Sequence, residues 1–247
     1  LKVRNSATIM LKPFTLFICL GLAICCSFTS TKPHTFEEIL SYQINPKVKQ
    51  IGLYWRDGSS KPFNSLLNLK TWLASQHKTL VFAMNGGMYK TDLSPLGLYI
   101  ENKKKLFSIN NSSGSGNFYF KPNGVFFITA DKKPIICTSD KFRDDGKIKY
   151  ATQSGPMLVI NGKIHDGFKE GSANLNIRNG VGILPGNKIL FAMSKTEVNL
   201  YDFAAYFKNL GCTNALYLDG FVSRMYLPEK SWQQTDGNFG VIIGVVK

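Results

Sequence analysis

Residues 198–220 read Val198-Asn-Leu-Tyr-Asp-Phe-Ala-Ala-Tyr-Phe-Lys-Asn-Leu-Gly-Cys-Thr-Asn-Ala-Leu-Tyr-Leu-Asp-Gly220. The first half predicts a helix, because Asn199 is a good N-cap with Asp202 three residues later, and Gly211 can end the helix in a left-handed conformation. Apolar residues recur at helical spacing along it, at Leu200, Phe203, Ala204 and Phe207. The apolar run 215–218 then predicts a short buried strand that ends at a carboxylate.

Outside this segment the chain alternates short apolar runs with turn residues. A second helix is predicted over residues 64–76, with Asn64 or Ser65 as its cap. Runs rich in β-branched and aromatic residues predict strands at 48–55, 79–84, 96–101, 117–121, 124–129, 153–160, 176–184, 188–193 and 241–246. Turns are expected at 122–124, 161–162 and 185–187. The predicted fold is α+β: a mixed, mostly antiparallel β-sheet core with about two main helices in a single domain.

The amino-terminal residues differ in composition from the rest. Lys2, Arg4 and Lys12 precede an apolar run at 14–26, the pattern of a secretory signal peptide. Cys25 and Cys26 end this run directly after Leu22-Ala23-Ile24, in a way that resembles a lipoprotein box, so plain cleavage and attachment of a lipid anchor to the membrane are both open. We therefore expect a signal peptide at 1–30, a domain at 31–247, and an exported protein of the periplasm or an envelope-anchored lipoprotein.

Charge and cysteine usage restrict the classes of partner. The formal net charge is +14, which suits anionic glycans, phosphates or membrane surfaces. The lysines are scattered without an aromatic-basic motif, so no nucleic acid partner is predicted. Cys137 and Cys212 can form a disulfide or remain two separate thiols. No Cys/His spacing and no cofactor fingerprint is present, so neither a metal nor a cofactor is expected.

Two polar clusters interrupt apolar strands in the first two thirds of the chain. Asn85-Gly86-Gly87 follows the run 79–84, and paired glycines let a backbone approach something closely. Gln153 and Ser154 stand at the entrance of another strand, where they can offer hydrogen bonds to a sugar or a phosphate. An ordinary tight turn and a β-bulge are the structural alternatives for the two clusters.

Two charged residues belong to later apolar strands. Arg178 lies in a glycine-bearing strand, where it must reach solvent, pair with a carboxylate or bind an anion. Asp219 ends the run 215–218, and Gly220 permits a sharp turn after it; such a carboxylate can act as a general acid or base, or can simply cap the turn. Because the apolar runs stop at Asn85 and Asp219, we expect both residues at one rim of the sheet.

Six stretches in this order resemble the phosphodiester glycosidase family: 83–89, 95–99, 121–125, 153–159, 178–182 and 218–220. The resemblance implies cleavage of a sugar-1-phosphodiester on its glycosidic side, in envelope or environmental glycans, with a phosphorylated glycan or sugar-phosphodiester as substrate. It implies Asp219 and Arg178 as catalytic residues, with Arg178 clamping the phosphate. It also implies substrate-binding roles for Asn85, Gly86, Gln153, Ser154, Asn123 and Ser223.

One departure from the family pattern concerns the residues after the aspartate. Family members commonly carry glycines there, whereas this chain has Phe221 and Val222 before Ser223. Glu197 and Asp166 are possible second carboxylates. Two further hypotheses remain: a non-catalytic binding module for anionic cell-envelope glycans, and a scaffold in which Arg178 is buried against a carboxylate with no cleft nearby.

Overall fold

The computed structural model describes residues 36–219 and 222–247, and the predicted signal peptide at 1–30 lies outside them. The described residues form two α-helices, α1 (Leu66–Ser75) and α2 (Leu200–Asn209). Their strands are β1 (Ile39–Ile44), β2 (Gln50–Tyr54), β3 (Leu80–Gly87), β4 (Tyr99–Glu101), β5 (Lys104–Phe107), β6 (Gly124–Thr129), β7 (Pro134–Thr138), β8 (Ile148–Ser154), β9 (Met157–Ile160), β10 (Lys163–Ile164), β11 (Asn179–Leu184), β12 (Lys188–Ser194), β13 (Asn214–Asp219), β14 (Met225–Leu227), β15 (Trp232–Gln233) and β16 (Val241–Val246).

These strands form three antiparallel sheets. The first has the order β1-β12-β11-β13-β9-β10, the second β15-β14-β3-β16-β2, and the third β5-β4-β8-β6-β7. Aromatic rings join them in the core: Phe82 of the second sheet stacks on Phe191 of the first at 5.0 Å, and Phe126 of the third meets Phe191 edge-on at 6.2 Å. The α+β prediction of antiparallel sheets with two main helices is confirmed.

Each helix buries one apolar face, as its spacing predicts. α1 buries Leu66, Leu69 and Leu73 in a cluster that contains residues of the second sheet, while α2 buries Phe203 and Phe207 in one that contains residues of the first. The predicted caps are confirmed, since the Ser65 hydroxyl accepts from the Asn68 N–H and Asn199 Oδ1 accepts from the Asp202 N–H. Gly211 follows α2 with φ +85°. Residues adjacent in sequence therefore determine where both helices begin and where α2 ends.

Gly211 offers a test of this helix ending. Gly211→Ala should lower the free energy of unfolding by about 1 kcal/mol, because a Cβ is strained at positive φ. No atom lies within 4 Å of the added Cβ, so the effect isolates backbone conformation. Gly58→Ala is the matched control, since Gly58 is equally open and does not have a positive φ. Chemical denaturation of both variants measures the difference between their free energies of unfolding. Equal values would contradict the left-handed helix ending assigned to Gly211.

Most of the predicted strands are confirmed, and two are wrong. Residues 117–121 do not form a strand: Asn117–Tyr119 is a 3-10 turn that buries Phe118, whose carbonyl accepts from the Asn123 side chain at 3.0 Å. The single strand predicted over 153–160 is divided between β8 and β9, which belong to different sheets. Pro156 stands at the division and has no N–H to donate to a ladder.

Cys137 and Cys212 are both free thiols, so the disulfide alternative is not realised. Burial raises the pKa of Cys137 to about 11 and that of Cys212 to about 12. Both cysteines are therefore protonated at neutral pH. Within residues 36–219 and 222–247, no helix has the length and apolar character needed to cross a membrane.

Candidate active site

Strands from two different sheets bring Asn85 and Asp219 into contact. Asn85 lies near the end of β3 in the second sheet, and Asp219 is the last residue of β13 in the first. Asn85 Nδ2 donates to Asp219 Oδ2 at 2.7 Å, and both side chains are buried. The predicted meeting of the two residues is observed, although it joins the rims of two sheets rather than one rim of a single sheet.

Asn179, the first residue of β11, completes a buried polar network. Its Oδ1 accepts from the Asp219 N–H at 3.0 Å, and its Nδ2 donates to Asn85 Oδ1 at 2.9 Å. Asn85 Oδ1 also accepts from the Arg224 N–H at 2.9 Å, and Asn85 Nδ2 also donates to the Val222 carbonyl. The Asn85 amide thus has protein partners for two donors and two acceptor sites, and it fixes the orientation of the Asp219 carboxylate.

Asp219 lies at a cleft of about 480 Å³. The described residues that line this cleft are Met88, Tyr89, Lys90, Thr91, Leu96, Ser115, Gly116, Asn117, Phe118, Tyr119 and Asp219. Asp219 is the one carboxylate among them, and the parts of the chain outside the described ranges contain no Asp or Glu. Lys90 is the one basic side chain of this lining. We call this cavity the Asp219 cleft.

Two tyrosines near Asp219 keep their protons at neutral pH. Burial, followed by the negative charge of Asp219, raises the pKa of Tyr89 to about 12, and the Tyr89 hydroxyl donates to the Asn238 carbonyl at 3.0 Å. Burial also raises the pKa of Tyr217 to about 12, although the neighbouring Arg178 acts in the opposite direction. Both side chains are therefore neutral hydrogen-bonding groups beside the carboxylate.

Arg178 precedes β11 and is 1% exposed. Its Nε donates to the Val198 carbonyl at 2.7 Å, and its Nη1 donates to the Tyr217 hydroxyl at 3.0 Å. Its Nη2 donates to the Asn174 carbonyl at 2.7 Å and to Asn174 Oδ1 at 3.3 Å. Among the residues that the structure describes, no carboxylate forms an ion pair with Arg178. The pairing that the scaffold hypothesis required is therefore not present.

Arg178 lines a second cavity, of about 200 Å³, and is not part of the described lining of the Asp219 cleft. We call this second cavity the Arg178 cavity. Phe120 lines the Arg178 cavity, and Phe118 and Tyr119 line the Asp219 cleft, so the segment 118–120 borders both. Tyr217 interacts with both predicted catalytic residues. Its hydroxyl accepts a hydrogen bond from Arg178 Nη1, and the negative charge of Asp219 contributes to its raised pKa.

Gln153 and Ser154 are buried at the end of β8. Gln153 Oε1 accepts from the Leu98 and Asn110 N–H groups, and its Nε2 donates to the Asn110 carbonyl and the Ser139 hydroxyl. The Ser154 hydroxyl donates to the Leu218 carbonyl at 2.7 Å. Gln153 therefore holds the loop that contains Asn110 against the third sheet, while Ser154 fixes the strand that carries Asp219.

The other predicted substrate-binding residues lie outside the described lining of the Asp219 cleft. Asn123 borders a third cavity of about 440 Å³, and its Oδ1 accepts from Lys121 Nζ at 3.2 Å. A Cβ on Gly86 would stand 2.4 Å from Ile243 Cγ1, so this glycine allows close packing against β16. The Ser223 hydroxyl donates to the Ile177 carbonyl at 3.2 Å. Their roles toward a ligand stay predictions.

Several residues of the site were not singled out from the sequence. Asn179 directly follows Arg178 in the glycine-bearing stretch, and this position beside a predicted catalytic residue could have indicated a role in the site. Tyr89 closes the stretch that begins at Asn85, and Lys90 follows it. Tyr119 lies in a segment predicted as a strand, so its place at the cleft could not be inferred.

The possible second carboxylates, Glu197 and Asp166, are exposed and do not line the cleft. Within the described part of the chain, no group of three or more His, Cys, Asp or Glu side chains is arranged to hold a metal ion. The chemistry available at the cleft is thus that of one oriented carboxylate, hydroxyl and amide groups, a lysine and aromatic rings.

Comparison with known proteins agrees with this architecture. The chain is 40% identical over 190 residues to YigE, an uncharacterised protein of Escherichia coli (strain K12), covering 76% of this chain and 74% of that protein. The fold is similar to the zebrafish N-acetylglucosamine-1-phosphodiester alpha-N-acetylglucosaminidase catalytic domain auto-inhibited by its pro-peptide, with a TM-score of 0.56, 14% identity, and coverage of 84% of this chain and 81% of that one.

A hypothetical protein from Synechocystis shares the fold with a TM-score of 0.52 at 14% identity, covering 84% of this chain and 59% of that one. Residues 78–242 match the family model described as phosphodiester glycosidase. This range contains α2, Asn85, Arg178 and Asp219. The chain therefore belongs to the phosphodiester glycosidase family of hydrolases.

Proposed function

We propose that this protein hydrolyses a sugar-1-phosphodiester between the sugar and the phosphate, with Asp219 as the reacting carboxylate. The observation that carries the proposal is that Asp219 is the one carboxylate lining the described cleft. A glycosidase that expels an alcohol commonly uses a second carboxylic acid to protonate the leaving oxygen. A phosphate monoester is already a weak base, so it leaves without that second acid.

Asp219 can take part in either of two ways. It acts as a base toward the water that attacks the anomeric carbon, or it acts on the anomeric carbon itself, as a nucleophile or as a stabiliser of an oxocarbenium-like centre. The amide of Asn85 and the backbone contact with Asn179 hold the carboxylate in one orientation. Such pre-organisation lowers the barrier because little rearrangement is needed as charge develops. The predicted base and the groups that orient it thus come from three strands.

The lining of the cleft supports a sugar-phosphate as ligand. Tyr89 and Tyr119 are half-buried and can present apolar ring faces and hydroxyl groups to a sugar. Lys90 is exposed at the same cleft and can pair with the phosphate. Its backbone is held in a turn, because the Lys90 N–H donates to the Ser94 carbonyl at 2.8 Å and Asp92 Oδ1 accepts from the Ser94 N–H.

For Arg178 we propose a positioning role in the reaction. Its guanidinium donates to the hydroxyl of Tyr217, two residues before Asp219, and the charges of Arg178 and Asp219 act in opposite directions on the pKa of that hydroxyl. Gln153, Ser154, Asn123, Gly86 and Ser223 brace the strands and loops around the site through the contacts described above. We further propose that the protein acts in the cell envelope, on the basis of the basic and apolar segment at its amino terminus.

The proposal predicts a strong preference for the leaving group. We expect sugar-1-phosphodiesters to be hydrolysed at least about 10²-fold faster than methyl glycosides of the same sugar and anomer, because the cleft supplies no second carboxylic acid. A panel of α- and β-linked sugars assayed for released phosphate monoester measures this. If members of the panel raise the melting temperature but none is hydrolysed, the protein is a binding module and the proposal is wrong.

A further inference from the structure

Five lysines lie around two small surface cavities, of about 260 Å³ and about 280 Å³, that have Lys132 in common. The lysines that line these cavities are Lys47, Lys49, Lys132, Lys133 and Lys149. Lys132 Nζ donates to the Lys47 carbonyl at 3.2 Å, so the turns that carry the two residues are in contact. Among the described residues of both linings, Asp131 is the one carboxylate. We call the five lysine side chains, together with Val48, the basic surface.

Val48 is 78% exposed and stands between two exposed lysines in the turn after β1. Asn45 fixes this turn, because its carbonyl accepts from the Val48 N–H at 3.0 Å and from the Lys49 N–H at 2.9 Å. Asn45 Oδ1 also accepts from the Lys47 N–H at 3.0 Å. The turn therefore presents an apolar side chain to water, and such a side chain gains free energy when it enters an apolar phase.

The basic surface and Asp219 lie at opposite ends of β11. This strand begins at Asn179, whose Oδ1 accepts from the Asp219 N–H at 3.0 Å. The turn after its last residue carries Gly186, which lines the first of the two cavities. A strand of six residues spans about 20 Å. A flat partner bound at the lysines is therefore distant from Asp219 and does not block the Asp219 cleft.

We propose that the basic surface docks the protein on an anionic phospholipid bilayer. A bilayer with anionic lipids attracts lysines that lie near its surface, so the five ammonium groups pair with lipid phosphates. Val48 enters the boundary between the headgroups and the acyl chains, where neighbouring lysines can bury their apolar stems and keep their charges in water. An anionic polysaccharide matches the charge but offers no apolar phase to Val48. The inference does not depend on the proposed reaction.

Sedimentation of the full chain with phospholipid vesicles tests the inference. We expect tighter binding to vesicles that contain phosphatidylglycerol than to vesicles of phosphatidylcholine alone, and added salt should reduce the difference. The triple variant Lys47→Gln, Lys49→Gln, Lys132→Asn should lower the partition coefficient onto anionic vesicles at least about tenfold. Asparagine replaces Lys132 because this residue has φ +66°, a conformation that asparagine tolerates. The amino-terminal apolar run is the same in every variant, so it cannot cause a difference between variants.

Matched variants elsewhere on the molecule control for charge and for hydrophobicity. The triple variant Lys163→Gln, Lys195→Gln, Lys208→Gln removes three exposed lysines that line neither cavity, and it should bind within about twofold of wild type. Val48→Ser should weaken binding to anionic vesicles about threefold to tenfold, because it removes the apolar group that enters the bilayer. Leu67→Ser changes a side chain that is 51% exposed on α1, and it should bind as wild type does. Circular dichroism checks that each variant is folded.

Soluble dextran sulfate distinguishes a bilayer from an anionic polymer as the partner. For a bilayer site, Val48→Ser should bind dextran sulfate as wild type does and anionic vesicles more weakly. If Val48→Ser binds anionic vesicles as tightly as wild type, the surface serves a soluble polyanion and the inference is wrong. Equal effects of the two triple variants, or equal binding of wild type to neutral and anionic vesicles, would also overturn it. Asp219→Asn should bind vesicles as wild type does, so failure of the proposed function and failure of this inference are distinguishable.

Discussion

Asp219→Asn should lower kcat/KM for a sugar-1-phosphodiester by about 10²–10⁴-fold, the range typical for loss of a positioned acid or base. The asparagine side chain has nearly the same shape, and its Oδ1 can still accept from Asn85 Nδ2, so the fold should persist. What is lost is the negative charge that activates water or stabilises a positive centre at the anomeric carbon. Steady-state kinetics and circular dichroism of the variant measure both effects.

Glu197→Gln and Asp166→Asn are the matched controls for this experiment. Both carboxylates are exposed and lie outside the described cleft lining, so their neutralisation should leave kcat/KM within about twofold of wild type. If either control loses activity as Asp219→Asn does, a second carboxylate takes part. If Asp219→Asn keeps wild-type activity, Asp219 is a structural cap, and the catalytic assignment is wrong.

The second large effect is expected at Asn85. Asn85→Ala should lower the free energy of unfolding by about 3–5 kcal/mol, because it deprives several buried polar groups of a partner at roughly 1–3 kcal/mol each. The groups affected include the Arg224 N–H, the Val222 carbonyl and the Asp219 carboxylate. Activity should fall as well, since the carboxylate loses the amide that orients it.

Chemical denaturation at neutral pH measures the Asn85 effect. Asn209→Ala is a suitable control, because Asn209 is exposed at the end of α2 and its change should stay within about 0.5 kcal/mol. A stability of Asn85→Ala within about 1 kcal/mol of wild type would show that the buried network is not needed to hold the two sheets' rims together.

Features that depend on neighbouring residues were predictable from the sequence. The caps at Ser65 and Asn199, the positive φ at Gly211 and the hairpins at 161–162 and 185–187 all follow from local backbone chemistry. The strand end at Asp219 was predictable for the same reason, since an apolar run stops there at a carboxylate. The family resemblance is carried by such local stretches and is confirmed.

Features that depend on distant partners were not predictable. The Gln153 amide donates hydrogen bonds to the Asn110 carbonyl and the Ser139 hydroxyl, which belong to other segments of the chain. The residues next to Gln153 in sequence do not indicate these partners. The guanidinium of Arg178 lines a cavity formed with the first turn of α2, a packing that no local pattern encodes. The division of residues 153–160 between two sheets likewise arises from tertiary pairing on either side of Pro156.

Hydrolysis in ¹⁸O-labelled water tests the central claim most directly, because it reports which bond breaks. Attack at the anomeric carbon beside Asp219 places the label on the sugar and none on phosphorus. Mass spectrometry of the phosphate monoester product after a single turnover distinguishes attack at the anomeric carbon from attack at phosphorus. We predict an unlabelled phosphate monoester; a labelled one would mean that the phosphorus–oxygen bond is cleaved, and would contradict the glycosidic mechanism proposed for this cleft.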